Sequence, residues 1–434
     1  MKIRVAAWST SRKSKVVEFF LQRPAFDAQA GKVAEGILLD VQRRGEAAIM
    51  AATAQFDGVA LRACDLCVSA EEIAEAVAKV PEDTKGHVQE ARRRVAEFAT
   101  ASLRKDLDIK TPHGGTLGEF YRPYDRVGVY VPGGTAPLAS TVVMTATLAQ
   151  VAGVKEIVAC TPCDRNKHIN PVVLYAMHLC GVTEIYRVGG VQAIGLMAYG
   201  MKKAMPVQKI VGPGGAFVTA AKRLVYGTVA LDLVAGPSEI AILADETANP
   251  AWVAADLLSQ AEHGTGLEKG LLVTTSEALS TSVLAALSEQ VAKLSRKAFI
   301  KKVEDAGGII IVTVPSLEDG MELINHFAPE HLELMVADAD AWRKRVRSAG
   351  AVFVGPYTPE AVGDFVAGPS HVLPTGGTAR LFSGLTVDDF RRRTSLVSYT
   401  QDDLRDALPT LEAFGAMEGL DGHARSASIR FNSL

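Results

Sequence analysis

A glutamate and a histidine stand side by side in the segment Ala328-Pro-Glu-His331, just before a predicted strand. An imidazole titrates near neutral pH and suits proton transfer, and an adjacent carboxylate can serve a separate step. Glu330 and His331 are therefore candidates for acid–base catalysis.

Several other polar side chains are of the types that bind metal ions. A predicted helix that ends at Gly264 places Gln260 and His263 three residues apart on one face. Further candidates lie downstream, in a Gly- and Pro-rich loop and near the C-terminus: Asp364, His371, Glu418 and His423. One amide oxygen, one carboxylate oxygen and two imidazoles would suit Zn²⁺ and leave room for a substrate atom. The residue types alone leave this assembly open, because its members are far apart in the sequence.

Glycine-rich turns follow several predicted strands. They are Pro132-Gly-Gly134, Gly189-Gly190, Gly212-Pro-Gly-Gly215 and Gly236-Pro-Ser238. Ligands of open parallel sheets bind beyond the carboxyl ends of strands, where glycine lets the backbone approach closely. One such turn is ordinary turn chemistry, but four together favour a nucleotide or another phosphate-bearing ligand. Neither GxGxxG nor the P-loop pattern GxxxxGK[ST] is present in the sequence.

Strands and helices must position these side chains. From Arg126 onward, short β-branched runs alternate with longer helical patterns, which predicts parallel βαβ units. A first series of predicted strands covers 127–131, 156–159, 184–188 and 209–211. A second series covers 240–243, 271–274, 309–312, 332–336 and 351–354. Residues 28–105 are predicted to be helical, and residues beyond about 388 form a small appended unit with helical spacing.

Composition excludes several classes of protein. The 434 residues carry 46 Lys and Arg against 49 Asp and Glu, which gives a net charge of −3. The protein therefore has no large positive net charge that would attract it to nucleic acid or anionic lipid. No apolar stretch of the sequence is long enough to span a bilayer. Five cysteines, including the CxxC pairs Cys64/Cys67 and Cys160/Cys163, argue against a secreted disulfide framework. We expect a cytoplasmic protein that acts on a small molecule.

The chain resembles the histidinol dehydrogenase family over nearly its whole length. The similar segments are Gly128-Val-Tyr-Val-Pro-Gly-Gly-Thr-Ala-Pro137, Gly189-Gly-Val-Gln-Ala-Ile194, Ala235-Gly-Pro-Ser-Glu239, Ser259-Gln-Ala-Glu-His263, Ala328-Pro-Glu-His331 and His371-Val-Leu-Pro-Thr375. The resemblance implies an α/β fold with two Rossmann-like parallel-sheet domains that lack GxGxxG. It also implies small N- and C-terminal helical appendages and an intertwined homodimer.

The resemblance further implies a division into four parts. Residues 1–24 form an N-terminal appendage, and residues 25–127 with 239–387 form a first α/β domain that carries the metal-binding and catalytic residues. Residues 128–238 form a second α/β domain with the NAD-binding turns. Residues 388–434 form a C-terminal dimerisation appendage.

The resemblance also implies the activity, which is the NAD-linked, zinc-dependent oxidation of L-histidinol through L-histidinal to L-histidine. This four-electron oxidation is the last step of histidine biosynthesis. One Zn²⁺ per subunit would be held by Gln260, His263, Asp364 and His423. In the family the last of these ligands comes from the partner subunit, so the two subunits of the homodimer would share each active site.

By the same resemblance, His331 would be the general base for the alcohol, and Glu330 would activate water against the aldehyde. The zinc ligands and His331 would also contact the substrate, together with Ser238, His371 and Glu418. Tyr130, Gln192 and the backbone at Gly215 would contact NAD.

The sequence departs from the family at several of these positions. Gly215 replaces an asparagine that contacts the cofactor, Phe365 replaces a tyrosine, and Ser370 replaces an asparagine. The changes near Asp364 leave open a paralogous zinc- and NAD-dependent alcohol dehydrogenase that oxidises another small polyol or amino alcohol, such as a sulfopropanediol. Gly215 leaves open a non-catalytic zinc-dependent dimer or nucleotide-binding protein.

Overall fold

A computed structural model describes residues 3–23, 27–133, 137–234 and 236–431 of the chain. Gly134 of the first glycine-rich turn and Ala235 of the third similar segment lie outside these ranges. The chain divides into two compact units. Unit 1 consists of Met1–Ser102 and Tyr124–Phe390, and unit 2 consists of Leu103–Pro123 and Arg391–Leu434.

The strands and helices have the following bounds. The strands are β1 (Arg4–Ala7), β2 (Leu107–Lys110), β3 (Thr116–Pro123), β4 (Arg126–Tyr130), β5 (Glu156–Cys160), β6 (Glu184–Tyr186), β7 (Lys209–Val211), β8 (Ala230–Leu231), β9 (Glu239–Ala244), β10 (Lys269–Thr274), β11 (Ile309–Thr313), β12 (His331–Met335), β13 (Ala351–Val354) and β14 (Arg391–Ser398). The helices are α1 (Lys15–Leu21), α2 (Ala28–Arg44), α3 (Glu46–Ala52), α4 (Ala70–Lys79), α5 (Glu82–Ser102), α6 (Ala139–Ala152), α7 (Pro171–Leu179), α8 (Gly190–Tyr199), α9 (Ala216–Val225), α10 (Pro250–Ala261), α11 (Glu277–Val291), α12 (Lys297–Asp305), α13 (Leu317–Phe327), α14 (Ala339–Arg343), α15 (Glu360–Phe365), α16 (Gln401–Glu418) and α17 (Asp421–Ser428).

The first sheet of unit 1 has five parallel strands in the order β6-β5-β4-β7-β8. Helices α2, α8 and α9 pack against it around a core that includes Leu38, Ile194 and Val225. The chain leaves β4 toward β5 and later returns to β7 on the other side. The strand order therefore reverses between β4 and β7, which is where open parallel sheets bind ligands.

The second sheet of unit 1 has six parallel strands in the order β1-β11-β10-β9-β12-β13. Every residue of β9 and β12 is buried, because helices cover both faces of the sheet. Strands that are covered on both faces are rich in apolar residues along their whole length. Phe20 of α1 and Phe327 of α13 pack on one face, and Leu257 of α10 and Val283 of α11 pack on the other.

Unit 2 contains a three-stranded antiparallel sheet in the order β14-β3-β2, followed by α16 and α17. Arg391 of β14 pairs with Pro123 of β3, and Ser398 pairs with Thr116 at the other end. Unit 2 leaves large apolar side chains exposed, among them Phe414 and Met417.

The prediction of parallel α/β structure is confirmed, but the prediction of helical appendages is wrong in part. The N-terminal segment contributes edge strand β1 to the six-stranded sheet, and the segment after 388 begins with β14. Both are edge strands, and three consecutive arginines begin β14 at Arg391. Charges on edge strands prevent unwanted pairing, and here they also hide the apolar alternation by which a strand is predicted.

No helix in the described ranges has both the length and the apolar run that a membrane-spanning helix needs.

Candidate functional site

Helix α10 positions the first two candidate metal ligands. Asn249 caps it by accepting a hydrogen bond from the Ala251 N–H at 2.9 Å, and Pro250 occupies its first position. Gln260 is only 1% exposed, and His263 follows the end of the helix and is exposed. Neither polar atom of the buried Gln260 amide has a hydrogen-bond partner within the described ranges. An unpaired buried amide is costly, so this side chain is suited to bind a ligand that the chain alone does not supply.

Helix α15 brings a third candidate ligand to His263. The potential ligand atoms of His263, Glu360 and Asp364 all lie within 4.8 Å of one another. Glu360 and Asp364 are four residues apart and therefore share a helix face. Glu360 lies in none of the segments that resemble the family, and its i, i+4 spacing to Asp364 is the signal in the sequence that points to it. The cluster, together with the Gln260 amide on the adjoining helix, fits a divalent cation of the zinc type.

Hydrogen bonds hold the carboxylates of this cluster. The Ser259 hydroxyl donates to Glu360 Oε2 at 2.8 Å, and the Glu360 N–H donates to Glu333 Oε1 at 2.8 Å. Burial and the neighbouring Glu360 carboxylate raise the pKa of Asp364 to about 9. A bound cation would favour the ionised form of these crowded acids. Glu360 of α15 is thus connected through Ser259 to α10, the helix that His263 follows.

The candidate acid–base pair lies at the amino end of β12, and Glu239 at the start of β9 contacts both members. The Glu239 N–H donates to Glu330 Oε2 at 2.9 Å, and the Glu239 carbonyl lies 3.1 Å from His331 Nδ1. A carbonyl can only accept, so the neutral imidazole carries its proton on Nδ1 and leaves Nε2 with a free lone pair. His331 Nε2 is buried, has no hydrogen-bond partner among the described residues and lies 3.7 Å from Asp364 Oδ1.

Burial sets the protonation of this pair. It lowers the pKa of His331, which keeps the ring neutral at physiological pH, and it raises the pKa of Glu330 well above its usual range. The imidazole therefore presents a basic nitrogen toward the metal-binding cluster.

The two other candidate substrate contacts of unit 1 lie on loops near this pair. His371 Nδ1 lies 3.0 Å from the Asp364 carbonyl, and burial lowers the pKa of His371 to about 4. Ser238 precedes β9 directly and is partly exposed. The Ser370 hydroxyl, which stands where the family has an asparagine, donates to the Met144 carbonyl at 2.9 Å.

The candidate cofactor contacts lie near the carboxyl end of the five-stranded sheet, with Tyr130 at the end of β4 and Gln192 in the first turn of α8. The Tyr130 hydroxyl accepts from the Gly190 N–H at 3.1 Å, and Gln192 Nε2 donates to Asp57 Oδ2 at 3.0 Å. Gly215 is exposed, and a Cβ built there meets no atom within 4 Å. Asp57 had no sequence signal, because only the fold brings it to Gln192.

A buried ion pair holds the turn at Gly212. The Gly212 N–H donates to Asp232 Oδ2 at 2.7 Å, and Lys222 Nζ donates to the Gly212 carbonyl at 2.9 Å. Lys222 also pairs with Asp232, and their side chains are 3% and 0% exposed. Gly212 has a φ of +113°, and a Cβ there would meet the Tyr130 carbonyl oxygen, so only glycine fits.

Glu418 and His423 belong to unit 2. Glu418 is the last residue of α16 and His423 lies in α17, and both are exposed.

Comparison with known proteins identifies the family. A family model described as histidinol dehydrogenase matches residues 21–431. The chain belongs to the histidinol dehydrogenase family. It is 45% identical over 433 residues to histidinol dehydrogenase of Bradyrhizobium diazoefficiens, with 100% of both chains covered. It is 47% identical over 395 residues to that of Gluconobacter oxydans, with 91% of both covered.

The fold agrees with a solved histidinol dehydrogenase. The crystal structure of the enzyme from Elizabethkingia anophelis superposes with a TM-score of 0.92 at 34% sequence identity, covering 99% of this chain and 98% of the other. The resemblance stated from the sequence is therefore confirmed. These matches do not favour the polyol-oxidising or the non-catalytic alternative.

Proposed function

We propose that this protein oxidises L-histidinol through L-histidinal to L-histidine with zinc and NAD. Beyond family membership, one observation carries the proposal. The basic Nε2 of His331 is buried and has no hydrogen-bond partner among the described residues, and it lies 3.7 Å from an acidic side chain of the candidate metal-binding cluster.

His331 would act in the first oxidation. Its Nε2 takes the proton of the substrate hydroxyl while a hydride passes from the carbon to NAD⁺, which leaves the aldehyde and NADH. The hydrogen bond between Nδ1 and the Glu239 carbonyl keeps the correct tautomer, and the lowered pKa of His331 keeps the ring ready to accept a proton.

Glu330 would act in the second oxidation. It takes a proton from a water molecule that adds to the aldehyde, and the resulting hydrate loses a second hydride to another NAD⁺. Burial raises the pKa of Glu330, which makes its ionised form a stronger base than a surface carboxylate. The balance is two NADH formed per histidinol.

Gln260, His263, Asp364 and His423 would hold one zinc ion per subunit. Support comes from the unpaired Gln260 amide and from the cluster of His263 with Asp364. When bound, zinc would supply a template that orients the nitrogens of the substrate. Glu360 supports the neighbouring ligands through Ser259 and Asp364.

The remaining roles follow the family. Tyr130, Gln192 and the backbone at Gly215 would bind NAD on a Rossmann-like domain of residues 128–238, and residues 239–387 would form the core of the catalytic domain. Ser238, His371 and Glu418 would contact the substrate, since a carboxylate can accept from an imidazole N–H.

The quaternary structure follows the same resemblance. In an intertwined homodimer, Glu418 and His423 on the 388–434 appendage would enter the active site of the partner subunit. The exposed apolar side chains of unit 2, such as Phe414 and Met417, are consistent with this role. A cytoplasmic location remains a prediction from the cysteine content.

The test measures NADH formed from L-histidinol and NAD⁺, before and after a chelator removes the metal and zinc is restored. We expect two NADH per histidinol, lost with the metal and regained with zinc. His331→Asn is the control for chemistry, because it keeps a polar side chain of similar size but removes the base. Zinc-loaded wild-type protein that forms no NADH from histidinol would contradict the proposal.

A further inference from the structure

Glu239 is the buried residue that contacts both members of the acid–base pair. It is 2% exposed, and its N–H and carbonyl hold Glu330 and His331 at 2.9 Å and 3.1 Å. Both contacts are made by its backbone. What holds this backbone in place therefore decides where the two catalytic side chains lie.

The Glu239 side chain is held by an arginine from the N-terminal segment. Arg23 Nη1 lies 2.7 Å from both carboxylate oxygens, and the Gly376 N–H donates to Oε2 at 3.1 Å. The side chains of Arg23 and Glu239 are 10% and 3% exposed. Burial raises the pKa of Glu239 to about 7 and the positive charge of Arg23 opposes this, so without the guanidinium the acid would hold a proton more tightly.

The same arginine also contacts the segment that leads to Glu330. Its guanidinium carbon lies 4.0 Å from the centre of the Phe327 ring, and Nη2 donates to the Phe327 carbonyl. The next residue, Ala328, has a φ of +49°, an uncommon conformation for a residue other than glycine. Strained backbone of this kind persists only where the surroundings hold it.

Stability alone is a weak reason for such an ion pair. Two charges lose hydration when they are buried, and well-packed apolar residues of similar volume are often as stable. Specific orientation is what an apolar pair could not supply, because the guanidinium satisfies a carboxylate and a carbonyl on two different segments at once.

We infer that the Arg23–Glu239 ion pair positions the catalytic pair, with Arg23 fixing Glu239 on one side and the strained Phe327–Ala328 connection on the other. This inference rests on the proposed roles of Glu330 and His331. Arg23 and Glu239 are positioning residues and do not take part in proton or hydride transfer.

The experiment compares Arg23→Met with Arg126→Met in the full-length, zinc-loaded protein. Arg126 is a matched control, because its side chain is 9% exposed and Nη1 lies 2.6 Å from both Glu156 and Glu184, in the other sheet. Displacement of catalytic groups by about 1 Å can cost on the order of 100-fold, so we expect R23M to lose about 30-fold or more in kcat. The KM for NAD and the zinc content should stay within about twofold, since the proposed contacts to NAD and zinc lie on other elements.

Three further variants separate positioning from folding. Arg23→Lys keeps the charge and should regain part of the lost kcat, and guanidinium ion added to Arg23→Ala should restore kcat in a saturable manner. Glu239→Gln keeps the size of the side chain, so it supplies the same test if R23M fails to fold. R126M should lower the Tm and leave kcat unchanged.

The outcomes are distinguishable. An R23M enzyme with wild-type kcat, or with a loss no larger than that of R126M, would overturn the inference and leave the proposed function intact. If the zinc-loaded wild-type protein is inactive on histidinol, the proposed function is wrong. A crystal structure of R23M then decides the positioning claim, which stands if the bonds from Glu239 to Glu330 and His331 are lost and falls if they are retained.

Discussion

At the scale of single residues, the site depends on polar groups that the protein buries without partners. Gln260 leaves both atoms of its amide unpaired, and His331 leaves Nε2 unpaired, among the residues described. Each such group destabilises the folded chain by about 1–3 kcal/mol. The resemblance to the family identified both residues from the sequence, because they lie in the similar segments 259–263 and 328–331. The sequence did not identify Glu239 or Glu360, because their contacts join segments about 90 or more residues apart.

Gln260→Met tests this idea at one position. Methionine fills a similar volume without polar atoms, so we expect the metal-free protein to gain about 1 kcal/mol or more in its free energy of unfolding. If the amide is a metal ligand, zinc affinity should fall at least about 10-fold, as it does for lesser changes around metal sites. Urea unfolding and zinc titration measure the two effects. A variant that binds zinc as tightly as wild type would exclude Gln260 as a ligand.

At the scale of elements, the turns and helix ends position these residues. The glycine turns at 189–190 and 212–215 are predicted from the sequence, because they are glycine clusters that follow predicted strands. At Gly212 only glycine tolerates the close approach of the backbone. The ion pair that holds the Gly212 turn could not be predicted, since Lys222 and Asp232 resemble ordinary surface charges in the sequence.

Lys222→Met should show what this ion pair does. Removal of one partner from a buried pair costs about 3–5 kcal/mol, because the other charge is left uncompensated. We expect a lower Tm and weaker NAD binding, as the turn that precedes Gly215 loses its anchor. Fluorescence titration with NAD measures the second effect. Arg62→Met, which breaks an exposed pair with Asp65, is the control and should leave NAD binding unchanged.

The capping box at the start of α16, formed by Thr400 and Asp403, should make the stability of the fold depend on pH. Burial opposes ionisation of Asp403, but hydrogen bonds from Thr400, Thr111 and His113 outweigh it and lower the pKa below its usual range. A depressed folded-state pKa stabilises the fold above the unfolded pKa of about 3.9, and this stabilisation is lost as pH falls through the folded value. Asp403→Asn should therefore lower the Tm at pH 7 more than at pH 3, which thermal unfolding monitored by circular dichroism would reveal. An equal loss at both pH values would contradict this prediction.

At the scale of the whole molecule, the residues proposed for the site are divided between the two compact units. Glu418 and His423 lie in unit 2, whereas His263, Asp364 and the acid–base pair lie in unit 1. The sequence predicted an appended C-terminal unit but not its sheet, because β2 and β3 lie in a distant segment that carries no βαβ pattern.

Mixing two inactive variants tests whether subunits share sites. His263→Ala and His423→Ala should each be inactive, because each removes a proposed zinc ligand. After subunit exchange, half of the dimers combine both chains and one of their two sites is intact, so about one quarter of wild-type activity should return. Activity that does not return in mixed dimers would mean that each site is built from one chain.

The arrangement of unit 2 also constrains how the polypeptide is made. Strand β3 ends at Pro123, and its antiparallel partner begins at Arg391, about 270 residues later. At a synthesis rate of roughly 5–20 residues per second, β3 emerges from the ribosome some 13–54 s before that partner exists. Exposed apolar residues such as Leu117 would be accessible to chaperones during this interval. Unit 2, and with it His423, can therefore fold only after β14 has been synthesised.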